Sequence, residues 1–228
     1  MPAFCKGCSS GTGRIKGAAA SGVSTHATLP NGLVCWFDFA DNVTDSKGTV
    51  SATAVGSPSY ADGKPGRAIV TDTTPKYVNL GNPVALRTDY LTFACWLKVN
   101  SGVTAISAIA NRRPDWDFYY QASPKKFTLT INGSPHDSGV YDIINTWALV
   151  ALTFDGADAK VWLNDAFVFT RAFTPTTVTK GTNNGAIGYM HDAGYPMAGQ
   201  FGAAGYWDRP LTSGELTALY NSGNGLSY

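Results

Sequence analysis

The stretch that most constrains what this chain can fold into spans residues 147–169. It opens on Trp147, and residues 147–154 form a near-continuous apolar run, the pattern of a central strand buried on both faces. Asp155-Gly156-Ala157-Asp158 has the composition of a turn. In the next segment Val161 and Leu163 fall on one face and Trp162 on the other. Asn164-Asp165 then sits between two apolar segments, a two-residue hairpin signal, and residues 166–169 run back. The reading is a three-stranded meander. A meander this apolar cannot face water on both sides, so the rest of the chain must supply a second layer.

The remaining segments supply it. With 228 residues, 44% of them hydrophobic, the chain fits one large β domain with an appendage. Strands are expected at 33–39, 76–80, 91–99, 104–110, 117–121, 126–131, 186–189 and 200–207. A polar turn follows the first at 41–48, Gly63 and Gly66 supply a turn around Pro65, and residues 126–131 pair through the Asn132-Gly133 turn region. In the 91–99 strand Phe93, Cys95 and Leu97 point one way and Thr92, Ala94, Trp96 and Lys98 the other. Thr212 and Glu215 spell a capping box, with Leu211 and Leu216 as its hydrophobic staple. Leu216, Leu219 and Tyr220 share one face of the short helix that follows, and Gly223 is expected to stop it. The fold class expected is all-β: an antiparallel two-sheet β-sandwich over 29–228 with one short C-terminal helix. Residues 1–28, rich in Gly, Ala and Ser with no hydrophobic period, read as a flexible arm. Cys5 and Cys8 in that arm suit free thiols, a disulfide, or a metal shared between subunits. Cys35 and Cys95, set in apolar strands, suit small buried hydrophobes, with a bridge between them as the alternative.

These segments resemble, in matching order over residues 33–223, the laminin-G-like, concanavalin A-like jelly-roll family. The resemblance is carried by the Trp147 strand with its Asp-Gly turn and its Trp162-Leu163-Asn164 hairpin, where Asp165 stands in the usual place of Gly. It is also carried by the Trp36 strand with its Asp45-Ser46-Lys47-Gly48 turn, by Gly63-Lys64-Pro65-Gly66, by Trp96-Leu97-Lys98, and by the closing Arg209-Pro210-Leu211-Thr212 segment and helix. The resemblance implies a jelly roll that is mostly non-catalytic and binds glycans or proteins through rim loops, often with calcium. Asp115 and Asp117 are the candidate calcium ligands, since two Asp at i and i+2 can donate oxygens to one ion; the competing reading is a turn with a solvated Asp. Trp116, Tyr119 and Tyr120 are candidates for stacking on a sugar, or else core. Tyr189, His191, Asp192 and Tyr195, around a Gly-containing loop, form the second candidate ligand-binding cluster.

Composition limits the chemistry. Charged residues make up 14% of the chain, against about 25% in an average protein, and the formal net charge is +1. No electrostatic case exists for nucleic acid or a membrane surface, and no run approaches the roughly 20 apolar residues of a membrane span. The N-terminus lacks a basic region followed by an apolar one, so no secretory signal is expected. Glu215 is the only Glu, whereas glycoside hydrolases work with a pair of carboxylates. His26, His136 and His191 are scattered outside any nucleophile motif. The expectation is a non-catalytic structural or binding protein, most readily a bacteriophage virion subunit (capsid decoration, fibre or tail-associated). It would display a lectin-like domain for glycan or host-surface attachment. The arm would dock on other virion proteins in a homo-oligomer or larger assembly. Phage structural proteins often carry this domain with a closing segment similar to residues 206–212. The alternative class is a carbohydrate-active enzyme, such as a lyase using Tyr or His, or its binding module.

Overall fold

The computed structural model describes residues 27–227 apart from 104, 175 and 191–193. The arm expected over 1–28 therefore lies outside the described residues up to position 26, and with it Cys5 and Cys8. The described chain forms β1 (Leu33–Phe37), β2 (Thr53–Val55), β3 (Ser59–Asp62), β4 (Arg67–Thr71), β5 (Tyr77–Gly81), β6 (Leu91–Val99), β7 (Ile106–Arg112), β8 (Trp116–Ala122), β9 (Lys125–Ile131), β10 (Ser134–Val140), β11 (Ala148–Phe154), β12 (Asp158–Leu163), β13 (Ala166–Ala172), β14 (Gly185–Ile187), β15 (Gly199–Trp207) and helix α1 (Ser213–Tyr220). All strand pairings are antiparallel. One sheet has eight strands in the order β13-β12-β11-β6-β15-β4-β3, with β1 also paired to β15; the other has seven, ordered β10-β9-β8-β7-β14-β5-β2.

The alternation of side chains along each strand builds two apolar layers. Phe93, Cys95 and Leu97 of β6 and Val150, Leu152 and Phe154 of β11 face Phe118 and Tyr120 of β8 and Phe127, Leu129 and Ile131 of β9 across the space between the sheets. The other face of the same β6 and β11 strands presents Ala94, Trp96, Leu149 and Ala151, which join Trp36, Trp207 and Leu29 beneath Leu216 and Leu219 of α1. The helix is thus a third layer, and it explains why β11 is buried along its whole length.

The meander follows the expected course. Leu163 pairs with Ala166 across the Asn164-Asp165 turn, with Asn164 at φ 59°. The Asn164 backbone N–H donates to Leu149 O at 2.6 Å, and its side-chain oxygen accepts from Leu149 N at 3.1 Å, pinning the turn to the neighbouring strand. Two details differ. Trp147 precedes β11 and is only half-buried, with Lys98 Nζ 5.6 Å from its ring centroid. β13 is an edge strand with Phe167 52% exposed. Strands β2 and β3 were not expected, being three and four residues long with no apolar alternation; β10 (Ser-Pro-His-Asp-Ser-Gly-Val), the return implied by the Asn132-Gly133 turn, has an exposed, polar sequence. It forms because the Asn132-Gly133 turn, with φ 50° and 79°, sends the chain back along β9.

Cys35 and Cys95 are both free and buried, and burial pushes both thiols up. Strand β15 lies between their strands, which separates them by roughly two strand spacings, about 9.5 Å, too far for a disulfide. The bridge is therefore excluded. At the C-terminus the capping box is present in both directions. The helix ends not at Gly223 but at Asn221, which takes the left-handed conformation at φ 47°. Glu215 does more than cap. Its carboxylate accepts from Arg209 Nη2 at 2.6 Å and Nη1 at 3.0 Å, from Thr28 Oγ1 at 2.6 Å and from Thr212 N at 2.8 Å. The Arg209 guanidinium, with the Thr28 and Thr212 donors outweighing the cost of burial, holds its pKa down to about 2. Arg209 also donates to Thr28 O and Asn31 O, and Trp207 Nε1 to Leu29 O, each at 2.8 Å. Residues 28–31 are tied to the end of the fold, so Thr28, expected in the arm, is bound into the sandwich.

Candidate functional site

Strand β8 sorts the candidate residues by parity. Trp116, Phe118 and Tyr120 point between the sheets; Asp117, Tyr119 and Gln121 point to the outer face of the seven-stranded sheet. Trp116 is 3% exposed, with Phe93 and Tyr206 rings at centroid distances of 6.0 Å. Tyr120 is fully buried and donates to Tyr141 O at 3.1 Å. Neither can stack on a ligand, which corrects the expectation for Trp116: an aromatic at an inward position of a central strand belongs to the core.

Tyr119 is on the outward side and lines a pocket of about 240 Å³ with Asp117, Arg113, Thr130, Met190 and Tyr195, floored in part by Ile106 and rimmed by Gly133 and Pro135 of the β9–β10 hairpin. Register explains how four strands contribute. Asn111 of β7 pairs with Asp117 of β8, Asp117 with Thr130 of β9, and Thr130 with Pro135 of β10. The row continues the other way through Ala186, Asn79 and Thr53. Tyr195 arrives by a different route. A bulge in β7 between Ala108 and Ala110 leaves Ala108 N to donate to Tyr195 O at 3.2 Å and Ile109 O to accept from Gly188 N at 2.9 Å. The segment after β14 is thereby laid on the sheet, bringing Met190 and Tyr195 to the pocket.

The pocket combines aromatic faces with fixed polar groups. Arg113 Nε is 3.3 Å from Asp117 Oδ2, and its Nη1 donates to Met190 Sδ at 3.5 Å. Burial pushes the Tyr119 phenol up, so it stays a neutral donor across the physiological range. Two tyrosines, a carboxylate, a guanidinium and a threonine hydroxyl in one small cleft suit a ligand with apolar C–H faces and many hydroxyls.

A family model for the concanavalin A-like lectin/glucanases superfamily (Laminin_G_3) matches residues 72–217. The chain belongs to that superfamily. No curated protein sequence matches it. The fold of this superfamily domain is similar to domain 4 of AbnA, a GH43 extracellular arabinanase from Geobacillus stearothermophilus solved with arabinotriose, with TM-score 0.66, 19% identity and coverage of 81% of this chain and 96% of that one. It is also similar to the binding domain of Paraclostridial Mosquitocidal Protein 1 (TM-score 0.70, 12% identity, 84% of this chain, 52% of that one). A structure of botulinum neurotoxin type C, whose cell entry depends on interaction with two ganglioside molecules, matches with TM-score 0.67 and 14% identity over 90% of this chain and 53% of that one. The chain spans about half the length of the two toxin chains.

The calcium expected from the family resemblance does not fit Asp115 and Asp117. Asp115 is fully buried. It is ion-paired to Arg112 and accepts from Gly181 N at 2.8 Å and Thr179 Oγ1 at 3.2 Å, so protein donors already hold both its oxygens. Asp117 faces Arg113 in the outer pocket. The two carboxylates serve two different arginines, and among the described residues no three His, Cys, Asp or Glu side chains gather where an ion would sit. Tyr189 lies beside the pocket and stacks on Tyr77 at 4.6 Å; His191 and Asp192 lie outside the described residues. Of the expected residues, the fold brings Asp117, Tyr119 and Tyr195 together. It adds Arg113, Thr130 and Met190, which sequence reasoning missed. Thr130 was available from the alternation of β9 and Arg113 from its spacing to Asp117, whereas nothing in the sequence marked Met190.

Proposed function

We propose that this domain is a non-catalytic carbohydrate-binding module whose sugar site is the outer pocket of Tyr119 and Tyr195. The observation that carries the reading is the convergence of two tyrosine faces with the Arg113–Asp117 pair and Thr130. Support also comes from the superfamily and from the similar arabinanase domain, which was solved with an oligosaccharide. Against hydrolysis stands the commitment of the only Glu to Arg209, Thr28 and the helix cap. The pocket lining holds a single carboxylate, whereas the two-carboxylate mechanism needs a second one roughly 5–10 Å away. A glycan-binding screen with the full chain should find a saturable ligand without product release. Tyr119→Ala should weaken that ligand by about tenfold or more, the loss of one stacking face with its hydrogen bond. Wild-type affinity in both Tyr119→Ala and Tyr195→Ala would remove the site from this pocket, and reproducible depolymerisation lost in Asp117→Asn would make the domain an enzyme.

We further propose that the module is displayed on a bacteriophage virion. The closing Tyr206-Trp207-Asp208-Arg209-Pro210-Leu211-Thr212 segment, similar to those of phage structural proteins that carry this domain, supports the reading. Finding the chain in purified particles by mass spectrometry is the check; its absence from them would overturn this part alone.

A further inference from the structure

The outward row of residues that crosses all seven strands would make a lane for a long chain lying across the sheet, yet the lane is blocked. Ala186 and Asn111 face outward but are 0% and 1% exposed. The segment after β14 lies over this stretch: Asn111 Nδ2 donates to Tyr189 O at 2.5 Å, the Tyr189 ring is stacked on Tyr77, and Met190 is 3% exposed against the Arg113 guanidinium. Gly188 N to Ile109 O and Met197 N to Gly188 O, both 2.9 Å, fasten the base of this cover to the sheet. On the opposite side Gly133 and Pro135, both exposed in the edge hairpin, line its open rim. There the Asn132 side chain is held by Thr179 N at 2.8 Å and Thr177 O at 3.0 Å. Between the Tyr189–Met190 wall and this open rim the pocket is about 240 Å³, below the roughly 300–1,000 Å³ of sites that take drug-sized ligands.

We propose that the pocket is blind across the sheet and takes the end of a glycan or a short branch, not the interior of a long polysaccharide; this rests on the carbohydrate-binding reading above. A wall of packed backbone and aromatic side chain costs an internal sugar a steric clash, whereas a terminal sugar offers its free hydroxyls to Arg113, Asp117 and Thr130 at no such cost.

The test uses the full chain on a glycan array that presents each sugar both as a free terminus and capped by one further residue. Calorimetry on oligosaccharides of increasing length follows for the best ligand. Capping should weaken binding by about tenfold or more, affinity should stop rising after the first few units, and Tyr119→Ala should lose the terminal ligand while melting as a folded protein. Equal binding of capped and uncapped forms through a Tyr119-dependent site, or affinity that keeps rising with length, would overturn the blind pocket and leave the carbohydrate reading standing. No binding to any glycan would defeat the carbohydrate reading and this inference with it, whereas glycan binding that neither Tyr119→Ala nor Tyr195→Ala weakens would place the site outside this pocket and overturn this inference alone.

Discussion

Trp147 packs against the apolar cluster beneath α1 and has the Lys98 ammonium 5.6 Å from its ring centroid. Because the ring is partly exposed, Trp147→Ala should cost about 1–3 kcal/mol, below the ~3–5 kcal/mol of an emptied aromatic core site. Urea denaturation checks this, and a loss above ~3 kcal/mol would mean that Trp147 works as a core residue. At this scale the sequence separated the chemistry of β8 poorly. Trp116, Tyr119 and Tyr120 are three aromatics in one strand, and only the phase of the alternation decides which of them meets solvent. That phase is set by which partner strand lies on each face, information that sits in β6 and β15, far away in the chain. Asp115 misled for a similar reason. A carboxylate beside a turn suits an ion, unless an arginine three positions earlier turns inward and claims it.

Helix α1 joins local and distant chemistry in one carboxylate. Glu215 is ordinary as a cap residue, but Arg209 and Thr28 depress its pKa from 4.5 to about 2. A carboxyl held down in the folded state stabilises the fold fully above its unfolded pKa. That contribution fades as pH falls from about 4.5 towards 2. Glu215→Gln should therefore lower the melting temperature at neutral pH by an amount worth roughly 1–3 kcal/mol, and the gap to wild type should narrow steadily as pH drops through that window. A gap that stays constant down to pH 2 would place the effect in packing and not in charge. The elements themselves were largely legible. The meander, β6, β15 and the capping box all announce themselves by period or by motif, because one face or both must be apolar. Edge strand β10 carries no such obligation. Its side chains mostly face water, so its sequence obeys the hairpin turn before it and little else.

The whole molecule is fastened where its described ends meet. Thr28 and Leu29 bond to Glu215, Arg209 and Trp207, and Leu29, Pro30, Leu226 and Ser227 share the lining of one apolar cavity of about 300 Å³. Extending an N-terminal deletion from residue 26 to residue 30 should therefore lower the melting temperature by several degrees, the effect of losing these three hydrogen bonds, the one to Trp207 buried, and the Leu29 side chain from a domain of this size. Equal melting of the two deletions would mean these ties are idle. Strand β15 sits inside the eight-stranded sheet, flanked by β6 on one side and by β1 and β4 on the other. In synthesis it is the last of the described strands to be made. Until Gly199–Trp207 leaves the ribosome, strands β1, β4 and β6 have been translated but lack their common neighbour and present bare edges. The domain must therefore acquire its sheet in one late event that spans nearly its entire length, a route that is slow and open to edge pairing between nascent chains.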